Sequence, residues 1–137
     1  MSDDGTLDPE GHIAHWGEIF SGCANRLGRP IETVNTARAA IEKAGFTNVH
    51  EEYFKIPIGS WPKNEKLKEA GKMNRIMWSG GLEGFSMYLL TNYGAPKPWS
   101  KEEVYVFVSQ VREEFKKPGH IYHFARRVWA QKPLDPA

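Results

Sequence analysis

Cysteine is nearly missing from this chain: Cys23 stands alone among 137 residues, so no intrachain disulfide can form and a thiolate zinc site is excluded. A reducing compartment fits. Charge of one sign is missing too, since 18 lysines and arginines face 17 acids, and no net field draws the chain to nucleic acid or an acidic membrane. The partners expected are small or neutral. No apolar run reaches the roughly 18 residues that a bilayer span needs, and Met-Ser-Asp-Asp-Gly-Thr-Leu-Asp lacks the charged, apolar and cleavage regions of a signal peptide. The expected location is cytoplasmic. Also absent is a glycine-rich loop following a strand: Gly80-Gly81 lies within a helical pattern and reads as a close-packing kink.

What the chain does have is enough apolar and aromatic residue, 40% and 12%, to build a core in one domain over 1–137. Its organising stretch is Ala44 to Pro62. A helix runs into Gly45, a residue suited to the left-handed position that ends helices, and the chain then turns β-branched, aromatic and alternating. Pro57 withdraws a backbone donor, and Gly59 with Trp61-Pro62 closes the strand in a turn.

Asp8-Pro9-Glu10 reads as a helix start, an N-cap followed by proline at the first position and an acid in the first turn. Ile13, Trp16, Phe20, Cys23 and Leu27 then recur at three and four, and Gly28 stops the run, which predicts a helix over 8–27. A second helix over 34–44 carries Ala37, Ala40 and Ile41 on a narrow face. A strand over 47–58 follows. From 64 to 92 the pattern is helical again, but Gly71, Gly80, Gly81 and Gly84 each cost about 1 kcal/mol relative to alanine, so a break is expected near Ser79-Gly80-Gly81. Ser100 and Glu103 form a capping box that must start a helix, over 100–117, with Val104, Phe107, Val108, Val111 and Phe115 as its stripe. His120 to Gln131 alternates and predicts the last strand, over 120–131.

Two antiparallel strands with four to five helices make an α+β pattern, and a two-stranded sheet alone is marginal. The chain lacks a partner sheet. In that setting the order of Ala44-Gly45-Phe46, Lys55-Ile56-Pro57-Ile58-Gly59-Ser60-Trp61-Pro62-Lys63, Gly81-Leu82-Glu83-Gly84-Phe85, Trp99-Ser100-Lys101-Glu102-Glu103-Val104, His120-Ile121-Tyr122 and Lys132-Pro133 is informative. It resembles the C-terminal part of the fungal class I S-adenosylmethionine-dependent methyltransferases of secondary metabolism, the LaeA-like group. The resemblance runs from Ser2 to Pro133. It implies a fragment of a Rossmann-like fold that supplies the last two strands, the helices before them and the helical insertion between them. Met1 falls where the family's fifth strand would have ended, as in a natural truncation or one half of a split protein. The half that binds S-adenosylmethionine in the family is not matched, so no cofactor is expected. Oligomerisation, as a homodimer, is expected to complete the sheet.

Glu83 shares a helical face with Ile76, Gly80, Met87 and Leu90, a setting that would tune a carboxylate for acid or base work; the other reading is a cap at the glycine break. His12 and His15, at i and i+3, would face one pocket with Trp16 and move a proton near neutrality, or else stand half exposed beside a core stripe. Tyr88 is a candidate hydroxyl donor. Trp16, Trp78, Phe85, Tyr88 and Trp99 would line an apolar ligand pocket or be plain core. The resemblance adds His120 and Tyr122, which match the family's histidine and tyrosine before the last strand. His120 and His123 fall on opposite faces, and the five histidines lack a metal-binding spacing. Arg126-Arg127 reads as a solvated or sheet-edge pair. The function expected is a methyltransferase-derived protein that acts without S-adenosylmethionine on a natural-product intermediate, by cyclisation, isomerisation or elimination. The alternatives are a non-catalytic subunit completing a methyltransferase, and a fragment of one.

Overall fold

A computed structural model describes residues 1–134. Along these residues run α1 (His12–Arg26), a short 3-10 helix (Ile31–Thr36), α2 (Ala37–Lys43), β1 (Thr47–Pro57), α3 (Glu65–Tyr93), α4 (Lys101–Lys116) and β2 (Tyr122–Gln131). The architecture is α+β, with α1, α3 and α4 packed as one helical layer and the β1–β2 pair against α3 and α2.

The helical layer forms because three stripes meet. Val104, Val108, Val111 and Phe115 of α4 close on Leu82 and Leu90 of α3 and on Cys23 of α1, all buried. The α4 stripe starts where the capping box puts it: Ser100 Oγ accepts from the Glu103 amide at 3.1 Å, and Glu103 accepts from the Ser100 amide at 2.7 Å. Replacing such a cap typically costs about 1 kcal/mol.

Three expectations are corrected here. Helix α3 runs unbroken through Ser79-Gly80-Gly81. Glycine weakens a helix without removing a backbone donor, and burying Leu82, Ser86 and Leu90 outweighs a few kcal/mol of propensity. Helix α1 starts at His12 rather than Asp8. Asp8 instead closes a turn, accepting from the Glu10 amide at 3.0 Å on its carboxylate and from the Gly11 amide at 3.1 Å on its carbonyl. The first turn of α1 is capped from another helix: Glu114 Oε2 of α4 accepts from the Ile13 amide at 3.1 Å. Carboxylates suit that position, where unpaired amides and the positive end of the helix dipole meet. The helix predicted over 34–44 is also divided, its first turn being part of the 3-10 helix.

The strands pair antiparallel from Thr47 opposite Gln131 to Pro57 opposite Tyr122, with an irregularity between Thr47 and His50. Asn48 sits there at φ 51°, a left-handed conformation that asparagine tolerates. Arg126 and Arg127 pair with Glu51 and Glu52 across the strands, and the Arg126 guanidinium also lies 5.0 Å from the Tyr53 ring centre. One further pairing touches β2: Ser2 bridges Ile121 antiparallel, and the Tyr122 amide donates to the Met1 carbonyl at 2.9 Å. The start of the chain thus reaches the start of the last strand. Among the described residues no helix is long and apolar enough to cross a membrane.

Candidate functional site

Where β1 ends and β2 begins, the connections leave a cleft of about 340 Å³. Its floor is apolar, from Ile58, Phe115 and Ile121, and its walls carry Trp61, Arg75 and His120. The turn that shapes it is held from behind. The Gly59 amide donates to the Gly71 carbonyl of α3 at 2.8 Å, and a Cβ on Gly71 would lie 2.1 Å from the Gly59 carbonyl oxygen. Only glycine at 71 lets helix and turn approach this closely. Gly59 itself has φ 107°, outside the range of ordinary residues. Trp61 is fixed by its indole N–H, which donates to the Ile121 carbonyl at 3.0 Å.

His120 stands at the edge of this cleft with its ring 5.2 Å from that of Trp61. Its Nδ1 faces Asp4 Oδ2 at 2.5 Å, and its backbone amide donates to Thr6 Oγ1 at 2.8 Å. Asp4 is well supplied with donors: Ser2 Oγ at 2.7 Å, Thr6 Oγ1 at 2.8 Å and the Thr6 amide at 3.2 Å. These bonds, from Ser2 and Thr6 first and then from His120, hold its carboxyl well below the usual carboxylate range. In the neutral imidazole, an ionised carboxylate facing Nδ1 favours the tautomer protonated there, with Nε2 as the acceptor. That is the arrangement of an oriented base.

Beside it, Tyr122 donates its hydroxyl to Asp3 Oδ1 at 2.6 Å. Lys55 pairs with the same carboxylate, its Nζ 4.4 Å from the Tyr122 ring centre. The Asp3 bond raises the Tyr122 pKa, with burial adding to the shift, while Lys55 and then Tyr122 lower that of Asp3. Tyr122 is buried and its hydroxyl committed, which makes it a support of the strand start.

The depressed Asp4 pKa has a sign. A carboxyl lowered in the folded state contributes stability above its ordinary value of 3.8, and that stability is lost as pH falls below it toward the folded value. Thermal unfolding midpoints should therefore fall more steeply below about pH 4 in the native chain than in Asp4→Asn. Parallel pH profiles would count against the Asp4 network.

The acid–base candidates from the sequence are not brought together, whereas Trp16, Trp78 and Phe85 are. Glu83 faces Arg112 at 3.7 Å, and Arg112 donates to the Ser79 carbonyl at 2.9 Å, so this carboxylate is half exposed beside a cation and not in apolar surroundings. His12 is exposed with its ring 6.4 Å from Phe107, while His15 is half-buried on the same helix. The aromatic set divides in three. Trp16 donates to the buried Ser86 hydroxyl at 2.8 Å and packs edge-on to Trp78, which also meets Phe85 and His123. Trp99 packs on Phe107, and the exposed Tyr88 on Tyr93. Trp78 Nε1 is a buried donor without a partner among the described residues. Those residues hold no group of three or more metal-ligating side chains.

Sequence reasoning passed over Asp3, Asp4, Lys55, Trp61 and Arg75. A signal was present in Ser2-Asp3-Asp4-Gly5-Thr6, where side-chain oxygens capable of turning onto nearby amides follow one another.

Comparison with known proteins agrees with the resemblance. The chain is 36% identical over 134 residues to methyltransferase pytC of Aspergillus terreus, an alignment covering 96% of this chain and 40% of that protein. It is 30% identical over 136 residues to the probable methyltransferase tdiE of Emericella nidulans, covering 98% of this chain and 42% of the relative. The chain is related to the fungal methyltransferases of secondary metabolism. It is also 28% identical over 89 residues to the secondary metabolism regulator LAE1 of Cochliobolus heterostrophus. The chain spans about two fifths of the length of the first two relatives. No family model and no solved structure matches it.

The strand-to-helix turn after β1 is closed by its own helix, the Gly59 amide being taken by Gly71 and the Gly59 carbonyl covered by it.

Proposed function

We propose that this chain acts without S-adenosylmethionine on a small natural-product intermediate, which it cyclises, isomerises or converts by elimination through proton transfer in the cleft. His120 is the base and Asp4 the residue that positions it. The observation that supports this reading is the Asp4–His120 pair at the edge of the 340 Å³ cleft. Glu83, His12, His15 and Tyr88, the acid–base candidates suggested by sequence, lie away from that cleft, whose lining includes none of them. Relatedness to methyltransferases of secondary metabolism supports the substrate class.

The test is proton–deuterium exchange, followed by NMR, into a panel of enolisable 1,3-dicarbonyl and polyene compounds of polyketide type. His120→Gln is expected to slow exchange by about 10²-fold or more, the range of a positioned general base. Asp4→Asn is expected to shift the pH profile and lower the rate less. Equal rates in His120→Gln and the native chain would sink the mechanism, and saturable calorimetric binding of S-adenosylmethionine would remove the cofactor-free reading.

A second reading has its own observations. The edge of β2 is paired by Ser2 only at its start, and α3 leaves Met73, Ile76, Met77 and Tyr88 about half exposed. Open edges and apolar helix faces invite another chain. On this reading the protein completes a methyltransferase, or pairs with a second copy of itself, and methyl transfer on mixing with a cofactor-binding half would favour it.

A further inference from the structure

Among the described residues Arg75 has no side-chain partner. It lies half-buried on α3 in the wall of the cleft, and it takes part in none of the eight ion pairs among the described residues. Removing part of a guanidinium from water is unfavourable unless an acceptor replaces the lost solvent. Of the other cations in that lining, Lys116 pairs with Glu113 and His120 with Asp4, while Lys117, whose backbone amide caps α4, is like Arg75 in none of these ion pairs. No aspartate or glutamate lines the cleft. Trp61 lines the same cleft, anchored through its N–H and so presenting a fixed aromatic surface.

We infer that the cleft recognises an oxyanion attached to a flat unsaturated body, a carboxylate or phosphate ester held by Arg75 with Lys117 beside it, its rings against Trp61. Arginine offers planar paired donors that match either group, and the apolar floor of Ile58, Phe115 and Ile121 suits the body. The inference rests on the same cleft as the proposed function and names the class of its substrate, but it does not depend on proton transfer at His120.

The experiment is calorimetric titration of the full chain with 2-naphthoate, 2-naphthyl phosphate, 2-naphthamide and inorganic phosphate. The two aromatic anions are expected to bind and the neutral amide to bind at least tenfold more weakly. Arg75→Gln is expected to lower anion affinity about tenfold, and Arg75→Lys to restore part of it. Arg75 has no intramolecular bond to lose, so both variants should keep the native unfolding midpoint, which is measured alongside. Anion binding by the native chain together with a failed exchange assay would remove the catalytic reading and leave the anion site standing. Equal affinity for naphthoate and naphthamide, or undiminished anion binding in folded Arg75→Gln, would overturn the inference. Inorganic phosphate binding as tightly as naphthyl phosphate would overturn the role given to Trp61.

Discussion

Gly71→Ala is expected to unfold the cleft side of the molecule, lowering stability by about 3 kcal/mol, the upper part of the range for overpacking. The added methyl would lie 2.1 Å from the Gly59 carbonyl oxygen and 3.2 Å from Pro57 Cβ. Neither neighbour is the end of a flexible side chain. Both belong to the exit of β1, so relief requires moving the turn away from α3 and breaking the bond between the Gly59 amide and the Gly71 carbonyl. That turn carries Ile58 and Trp61 into the cleft, so ligand binding should fall with stability. Urea unfolding followed by tryptophan fluorescence gives the first quantity and calorimetry the second. A variant with the native midpoint would mean that helix and turn are not in this contact.

Leu82→Ala is expected to cost about 2–5 kcal/mol, since it cuts an isobutyl side chain back to a methyl at a fully buried site. Leu82 belongs to the one buried cluster that joins α1, α3 and α4 through Cys23, Leu90, Val104, Val108, Val111 and Phe115. Native domains hold only about 5–15 kcal/mol in total, so a single truncation here consumes a large share of what keeps the helices together. The same substitution at Leu67, exposed on the first turn of α3, should change stability by a few tenths of a kcal/mol. Chemical denaturation of both variants measures the contrast. Equal midpoints would mean that the helical layer is not the core.

These two sites also divide what was legible in the sequence from what was not. The stripe containing Val104, Val108 and Val111 could be read from spacing alone, because burial at three and four along a helix leaves a local pattern. Glycine at 71 could only be counted as a weak helix residue. Its role is set by a carbonyl twelve residues earlier that the strand exit brings against it. The expected break at Gly80-Gly81 failed for a related reason: propensity is local, while burial of Leu82, Ser86 and Leu90 against neighbouring helices is not. Glu83 was assigned surroundings from its own helix, and Arg112, which decides them, comes from another.

By itself, the sequence determined the features whose causes lie within a few residues. These are the capping box at Ser100 and Glu103, the helix stop at the left-handed Gly45, the alternating strands, the absence of disulfides and the relationship to fungal methyltransferases. Tertiary structure alone decided the rest. Glu114 caps α1 across 101 residues, Asp4 meets His120 across 116, and Arg75 is left half-buried without a partner among the described residues. Each depends on groups far apart in the chain, whose meeting is fixed by packing and not by any local preference of the residues concerned.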